Sequence, residues 1–180
     1  MKTTPILFLD LDGTVRLGPA ELNGKFVNEP ADVELFDGMT DLLKSYKERG
    51  WRIVAISNQG GIALGHATEN GIARSMQETN RLCANLFDLM LWCTHHPDAK
   101  GDEFATTEEK SICFCRKPRI GYVVSAFIQL SQQHPNEMYR PYDCLFVGDM
   151  DSDKECAENA NIPFMWAGDW RLRGTAETAQ

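Results

Sequence analysis

Two carboxylates lie close together near the start of the chain, in the segment Asp10-Leu-Asp12-Gly13-Thr. They directly follow the apolar run Ile6–Leu9, and Gly13 permits the sharp turn that would bring both side chains to one place. Like charges held together away from water are costly unless a cation joins them. Asp149 also follows an apolar run and would complete a set of oxygen ligands that suits Mg²⁺. An isolated Asp-Gly pair is commonly a turn, but this pattern behind an apolar strand indicates a magnesium site.

A second group combines cysteine and histidine. Cys93-Thr-His95 is followed after seventeen residues by Cys113-Phe-Cys115. Three thiolates and one imidazole form a closed tetrahedral set, which is the ligand set of structural zinc. The polar stretch between the two pairs could not hold a shape by burial, so a bound metal would fix it. His96 is the alternative fourth ligand, and buried thiols beside a surface histidine are the alternative to a metal site.

The other three of the six cysteines, Cys83, Cys144 and Cys156, lie within apolar stripes. We expect them to be thiols of the core rather than ligands. Disulfides are not the default expectation for a chain that we predict to be cytoplasmic.

Strands and helices must position these groups. Apolar runs predict strands at 6–9, 52–56, 89–92, 144–147 and 163–166, and helical spacing predicts helices at 39–49, 68–87, 122–132 and 151–160. Because strands alternate with helices, we expect an α/β fold with a Rossmann-like, doubly wound and mostly parallel sheet. The polar motifs fall at the carboxyl ends of the strands, where such sheets carry their active sites.

In this order the motifs resemble those of the haloacid dehalogenase (HAD) superfamily of phosphohydrolases, over residues 6–166. The resemblance implies that Asp10 is the nucleophile that attacks phosphorus and forms an aspartyl-phosphate. It implies that Asp12 is the general acid/base, that Ser57 binds the transferring phosphoryl group, and that Lys117 screens the negative charges. A carboxylate can act as a covalent nucleophile, and cations stabilise a phosphoryl group in transfer.

The same resemblance implies a magnesium site made of Asp10, Asp12 and Asp149. Asp153 matches the outer acidic position of this site, in a second shell. Asp151 lies between Asp149 and Asp153 and could substitute there.

The loop that carries the cysteines narrows the resemblance. Its two ends read Cys93-Thr-His-His-Pro and Cys113-Phe-Cys-Arg116-Lys117-Pro. They resemble the group of histidinol-phosphatases and D-glycero-D-manno-heptose-1,7-bisphosphate 7-phosphatases. The resemblance implies that zinc is structural and places Arg116 and Lys117 over the phosphate. It also implies that Arg116 contacts the substrate, and that Asn58 either contacts the substrate or lies in a second shell behind it.

We therefore expect a Mg²⁺-dependent phosphomonoesterase that acts on a small phosphorylated metabolite, such as the sugar phosphate D-glycero-D-manno-heptose 1,7-bisphosphate. A polynucleotide 3′-phosphatase and a histidinol-phosphate phosphatase are alternatives within the same chemistry. A non-catalytic binding protein that keeps the scaffold is the alternative from another class.

Length and charge restrict these choices. The 180 residues predict a single domain over 1–180, in which segments 15–36 and 94–112 are too short to form a cap domain. The net charge of −8 argues against a broad nucleic-acid-binding face. No apolar run reaches the roughly 18 residues that a membrane helix needs, and the first residues do not form a secretory signal. We predict a cytoplasmic monomer without a membrane partner.

Overall fold

A central sheet of five parallel strands organises the chain in the computed structural model, which describes residues 1–99 and 113–178. The strands are β1 (Lys2–Thr3), β2 (Ile6–Leu9), β3 (Arg52–Asn58), β4 (Leu89–Cys93), β5 (Glu137–Met138), β6 (Leu145–Gly148) and β7 (Phe164–Trp166). The central sheet has the order β4-β3-β2-β6-β7, and β1 pairs with β5 in a separate parallel ribbon. The predicted α/β class with a mostly parallel sheet is confirmed.

Helices cover both faces of this sheet. They are α1 (Met39–Glu48), α2 (Glu69–Leu82), α3 (Gly121–Gln133), α4 (Asp151–Asn159) and α5 (Ala167–Thr178). Side chains alternate along each strand, so that Leu7 and Leu9 of β2 face one core while Ile6 and Phe8 face the other. The first core packs against α1, α2 and α5, and the second packs against α3 and α4. The sheet is therefore doubly wound, with one hydrophobic core on each face.

The predicted helix at 68–87 is too long. Its start is set by Thr68, whose hydroxyl accepts a hydrogen bond from the Gly71 amide at 3.0 Å, so the helix itself begins at Glu69. It ends at Leu82 because Ala84 and Asn85 adopt left-handed φ values of +54° and +57°. The apolar spacing continued beyond the point at which the backbone leaves the helix.

Among the strands and α-helices of residues 1–99 and 113–178, three were not predicted: β1, β5 and α5. The two ribbon strands have only two residues each, which is too short for a periodic signal. The helix α5 begins directly where β7 ends, and no turn or capping residue between them marks its start in the sequence. The remaining predicted strands and helices are present, with boundaries that differ by one or two residues.

The segment 15–36 runs back over the sheet and packs on α2. Its short 3₁₀ helix, Pro30–Asp32, contacts α2, and Val27 and Val33 on either side of it are buried. Leu35 and Phe36 pack against the first core. Segment 15–36 thus shares the core of the sheet.

None of the helices in residues 1–99 and 113–178 has both the length and the apolar composition needed to cross a membrane.

Trp170 anchors the helix that the sequence did not predict. Its side chain is 1% exposed, and its indole nitrogen donates a hydrogen bond of 3.0 Å to the Tyr46 hydroxyl on α1. We expect Trp170→Ala to lower the free energy of unfolding by about 3–5 kcal/mol, because it leaves a large cavity in the first core. Urea denaturation measures this change. Leu172→Ala on the same helix, where the side chain is 71% exposed, should change it by less than about 0.5 kcal/mol. Equal effects would contradict the packing of α5.

Candidate active site and metal-binding cluster

Three carboxylates meet at the carboxyl end of the sheet. Oxygen atoms of Asp10, Asp149 and Asp153 lie within 4.8 Å of one another. Asp10 follows β2 and donates its backbone N–H to the carbonyl of Val147 on β6 at 3.0 Å, which aligns the two strand ends. Gly13 has φ of +81°, and a Cβ at this position would collide with the carboxylate of Asp149. The turn after Asp10 therefore requires glycine both for its backbone conformation and for space.

Lys117 lies among these carboxylates although it is far away in the sequence. Its ammonium group is 2.5 Å from Asp10 Oδ1 and 2.7 Å from Asp153 Oδ1. It also donates a hydrogen bond of 2.7 Å to the carbonyl of Ile56 on β3. Lys117 is 3% exposed and Asp153 is 1% exposed, so this charge pairing is shielded from solvent. The predicted lysine therefore contacts the predicted nucleophile directly.

Burial dominates the electrostatics of the group. It raises the pKa of Asp10 to about 8, with Asp153 and Asp12 adding to the rise and Lys117 opposing it. Partial loss of hydration raises the pKa of Asp149, which lies at the exposed side of the group, to about 6, with a further contribution from Asp153. Burial opposes the charge of Lys117, but Asp10 and Asp153 outweigh it and its pKa lies above the ordinary value. One lysine leaves the carboxylates short of positive charge, and their converging oxygens fit a divalent cation.

The side chain of Asp12 is not part of this three-carboxylate group. It accepts hydrogen bonds from Arg16 Nε at 2.8 Å and from Gln59 Nε2 at 2.8 Å. The same Gln59 nitrogen lies 2.7 Å from the hydroxyl of Ser57, which is 1% exposed. Gln59 therefore links the predicted acid/base to the predicted phosphate-binding residue.

Asn58 and Arg116, the two predicted substrate contacts, both bind the protein backbone. Asn58 donates to the carbonyl of Lys117 at 3.1 Å and accepts from the Lys117 amide at 3.0 Å. Arg116 donates to the carbonyl of His95 at 2.9 Å. These contacts hold the segment that presents Lys117. A role in substrate binding remains a prediction for both residues.

The four predicted cysteine and histidine ligands converge. The sulfur atoms of Cys93, Cys113 and Cys115 lie 3.0–3.4 Å apart, and His95 Nδ1 lies 3.1–3.5 Å from each of them. Tetrahedral coordination at a Zn–S distance of about 2.3 Å places sulfurs about 3.8 Å apart, so the group is close to the size of such a site. The cysteines are not bonded to one another. This group is called the Cys/His cluster below, and its geometry is compatible with a metal.

The chemistry of the Cys/His cluster also favours a metal. The sulfur atoms of Cys93 and Cys115 lie 3.2 Å apart, and their hydrogen bond lowers the pKa of Cys115 to about 5 and raises the pKa of Cys93 above its ordinary value, so that Cys115 is the thiolate of the pair. His95 supplies the histidine of the cluster. His96 instead accepts a hydrogen bond from the Asp98 amide at 3.1 Å. The intervening residues 100–112 lie outside the described residues.

Cys83, Cys144 and Cys156 are buried away from this cluster, as predicted. Burial raises the pKa of Cys83 to about 12 and the pKa of Cys144 and Cys156 to about 11. Such thiols are poor nucleophiles near neutral pH.

Three further residues shape the site but were not predicted as site residues. Gln59 and Arg16 bind Asp12, and Arg171 on α5 donates to the carbonyls of Gly13 and Thr14 at 2.9 Å. For Arg16, a charge inside the apolar stretch after Asp12 was the available signal. Arg171 carried no such signal because α5 itself was not predicted.

Known proteins that are similar to this chain are phosphatases. The family model described as polynucleotide kinase 3 phosphatase matches residues 5–169. The D-glycero-beta-D-manno-heptose-1,7-bisphosphate 7-phosphatase of Salmonella typhi is 31% identical over 166 residues, which cover 89% of this chain and 78% of that enzyme.

Solved structures show the same fold. A candidate HAD-like phosphatase from Mesorhizobium loti has a TM-score of 0.72 and 25% identity, over 90% of this chain and 71% of its own. The D,D-heptose 1,7-bisphosphate phosphatase of B. bronchiseptica, solved with magnesium and phosphate, has a TM-score of 0.67 and 22% identity, over 89% and 79%.

The fold and the site together define a phosphatase of the HAD superfamily. Within this class, the chain belongs to the family that the polynucleotide kinase 3 phosphatase model describes.

The raised carboxyl pKa values predict pH-dependent magnesium binding. Desolvation raises the pKa of Asp149 to about 6 and that of Asp10 to about 8, so below these values Mg²⁺ must displace protons from the two carboxyl groups. We expect the apparent affinity to rise between about pH 5 and about pH 8, by up to about tenfold per pH unit for each displaced proton. Isothermal titration calorimetry measures it. Asp149→Asn should weaken binding, whereas Asp151→Asn, an exposed neighbour outside the group, should have little effect. An affinity that does not change with pH would contradict this assignment.

Proposed function

We propose that this phosphatase is a Mg²⁺-dependent phosphomonoesterase of a small phosphorylated sugar, such as D-glycero-D-manno-heptose 1,7-bisphosphate. The observation that carries the proposal is the buried contact between Lys117 and Asp10, beside Asp149 and Asp153 at the carboxyl end of the sheet. The sugar substrate is suggested by the Salmonella typhi relative, which is named for that reaction.

The reaction divides into two steps. Asp10 attacks phosphorus, an Asp10–phosphate bond forms, and the bond from phosphorus to the sugar oxygen breaks. Asp12 gives its proton to that departing oxygen. Asp12 then takes a proton from water, whose oxygen attacks phosphorus and releases inorganic phosphate from Asp10. Lys117 and the hydroxyl of Ser57 stabilise the charge on the phosphoryl oxygens throughout.

Asp10 and Asp149 would hold the magnesium ion, and Asp153 lies close enough to contribute or to orient them. The ion would supply positive charge for the phosphoryl oxygens and the nucleophile. The sequence also suggested Asp12 as a ligand. Its carboxylate is paired with Arg16 and Gln59 and lies outside the group of three carboxylates, so we assign it to proton transfer rather than to coordination.

Zinc is our proposal for the Cys/His cluster, in a structural role. Cys93 ends β4 and lies beside Asn58, which ends β3, so the cluster abuts the strand ends that carry the site. Cys115 precedes Lys117 by two residues. A metal here would fix the backbone from which Lys117 reaches Asp10, without contacting the phosphate.

A polynucleotide 3′-phosphatase is the second candidate, because the matching family model is described by that activity. The net charge of −8 opposes it, since binding to nucleic acid depends on lysine and arginine. Histidinol phosphate is a further small-molecule candidate from the sequence resemblance. The single domain without a cap, the monomeric state and the cytoplasmic location remain predictions.

A phosphate-release assay with and without Asp10 tests the reaction. Asp10→Asn removes the nucleophile with little change in shape, so we expect activity to fall by at least about 1,000-fold. Asp41→Asn, an exposed aspartate on α1, should retain activity. Undiminished turnover by Asp10→Asn would overturn the nucleophile assignment. The substrate panel should contain heptose bisphosphate, histidinol phosphate, common sugar phosphates and a 3′-phosphorylated oligonucleotide. Preference for the oligonucleotide would establish the second candidate instead.

Elemental analysis tests the metal of the Cys/His cluster. We expect about one equivalent of zinc per chain, lost in Cys113→Ser because a tetrahedral site needs all four ligands. Cys83→Ala, which removes a buried thiol outside the cluster, should retain the metal. A folded protein that holds no zinc, or another metal in its place, would refute the zinc assignment.

A further inference from the structure

Arg16 is a charged residue in the interior of the protein, and its side chain is 0% exposed. Its backbone belongs to the turn that follows the nucleophile, where Gly13 N–H donates to the Arg16 carbonyl at 2.8 Å. A buried guanidinium is costly unless its donors are satisfied. The contacts that satisfy them show what the side chain holds in place.

The guanidinium of Arg16 binds both carboxylate oxygens of Asp12. Nε donates to Asp12 Oδ1 at 2.8 Å, and a terminal nitrogen donates to Oδ2 at 3.3 Å. The other terminal nitrogen donates to the Thr79 hydroxyl at 2.9 Å, and that hydroxyl donates to the Ser75 carbonyl at 2.8 Å. Helix α2 thus anchors the guanidinium. Because the planar guanidinium donates two hydrogen bonds, it fixes the plane of the carboxylate. A lysine ammonium, which acts as a point charge, could not do so.

Gln59 holds Asp12 at a second point by donating to Oδ2 at 2.8 Å. The Asp12 side chain nevertheless keeps 25% of its surface exposed, whereas the side chain of Asp10 keeps 10%. Asp12 is therefore fixed in orientation but still accessible. That combination is what a residue needs to exchange protons with a leaving group and with water.

We propose that Arg16 is a positioning residue of the phosphatase reaction, which aims the carboxylate of Asp12 at the leaving oxygen and is itself anchored by Thr79. This inference rests on the proposed function, in which Asp12 is the general acid. It assigns to segment 15–36 a part in catalysis, because Arg16 belongs to that segment. A purely structural ion pair would share the geometry but not the kinetic consequences.

Leaving-group dependence distinguishes the two roles. An alkyl phosphate needs a proton on its departing oxygen, whereas p-nitrophenyl phosphate releases a stable phenolate and needs little help. The parameter kcat/KM reports the steps up to formation of the aspartyl-phosphate, so it isolates the acid role of Asp12 from its later role as base. Both substrates should be measured with each variant.

Arg16→Met should lower kcat/KM for the alkyl phosphate by about 10–100-fold and for p-nitrophenyl phosphate by less than about threefold. Arg16→Lys keeps the positive charge but cannot bind both oxygens of Asp12 through a planar group. Its kcat/KM for the alkyl phosphate should therefore lie between those of the wild type and Arg16→Met. The ratio of kcat/KM for the alkyl phosphate to kcat/KM for p-nitrophenyl phosphate should fall by about three- to tenfold in Thr79→Val, because this variant removes only the hydroxyl that anchors Arg16. Thr79→Ser keeps the hydroxyl and should restore most of what Thr79→Val loses. If Arg16→Met fails to fold, the Thr79 pair decides the question.

The Asp12→Asn background provides the strictest comparison. If Arg16 acts through Asp12, then Arg16→Met should have no further effect on the ratio in that background. An equal loss on both substrates, or a loss that persists in Asp12→Asn, would overturn the inference and leave the proposed function standing. A wild-type protein that hydrolyses neither substrate would instead overturn the proposed function, and the inference with it.

Discussion

The neutralisation of buried carboxylates is the constraint on which the rest of the structure depends. Oxygen atoms of Asp10, Asp149 and Asp153 lie within 4.8 Å of one another, and Asp10 and Asp153 are buried, where like charges repel strongly. Lys117 enters the group and contacts two of its members. A divalent cation would complete the balance, so the repulsion within this group also supports the magnesium site that we propose.

The contacts of Asn58, of Arg116 and of the Cys/His cluster all hold the segment that carries Lys117. Asn58 binds the Lys117 backbone through both its amide and its carbonyl, and Arg116 ties the same segment to His95. The Cys/His cluster closes the loop directly beside it. A lysine on a loose loop would not stay buried among carboxylates, because its side chain has many conformations to lose. Residues from distant parts of the chain therefore hold the backbone that positions the ammonium group of Lys117.

The two aspartates of the first motif differ because their surroundings differ. Asp10 faces Lys117 and the other carboxylates, whereas Asp12 faces Arg16 and Gln59 and remains more accessible. Two residues of the same type, separated by one position, are thereby suited to different tasks. In the reaction that we propose, Asp10 attacks phosphorus beside a cation and Asp12 carries a proton.

The sequence by itself determined the α/β class and most strands and helices, and it predicted Asp10, Lys117 and the four residues of the Cys/His cluster as site residues. Those inferences depend on local periodicity and on motifs with narrow chemical meaning. The sequence assigned Asp153 to a second shell of the metal site, and only the tertiary structure brought its oxygens within 4.8 Å of those of Asp10 and Asp149. Only the tertiary structure paired Asp12 with Arg16 and revealed α5. These features depend on which strand ends meet and on which side chains burial brings together. Contacts between residues far apart in the sequence leave no periodic pattern in it, so they can be identified only once the fold is known.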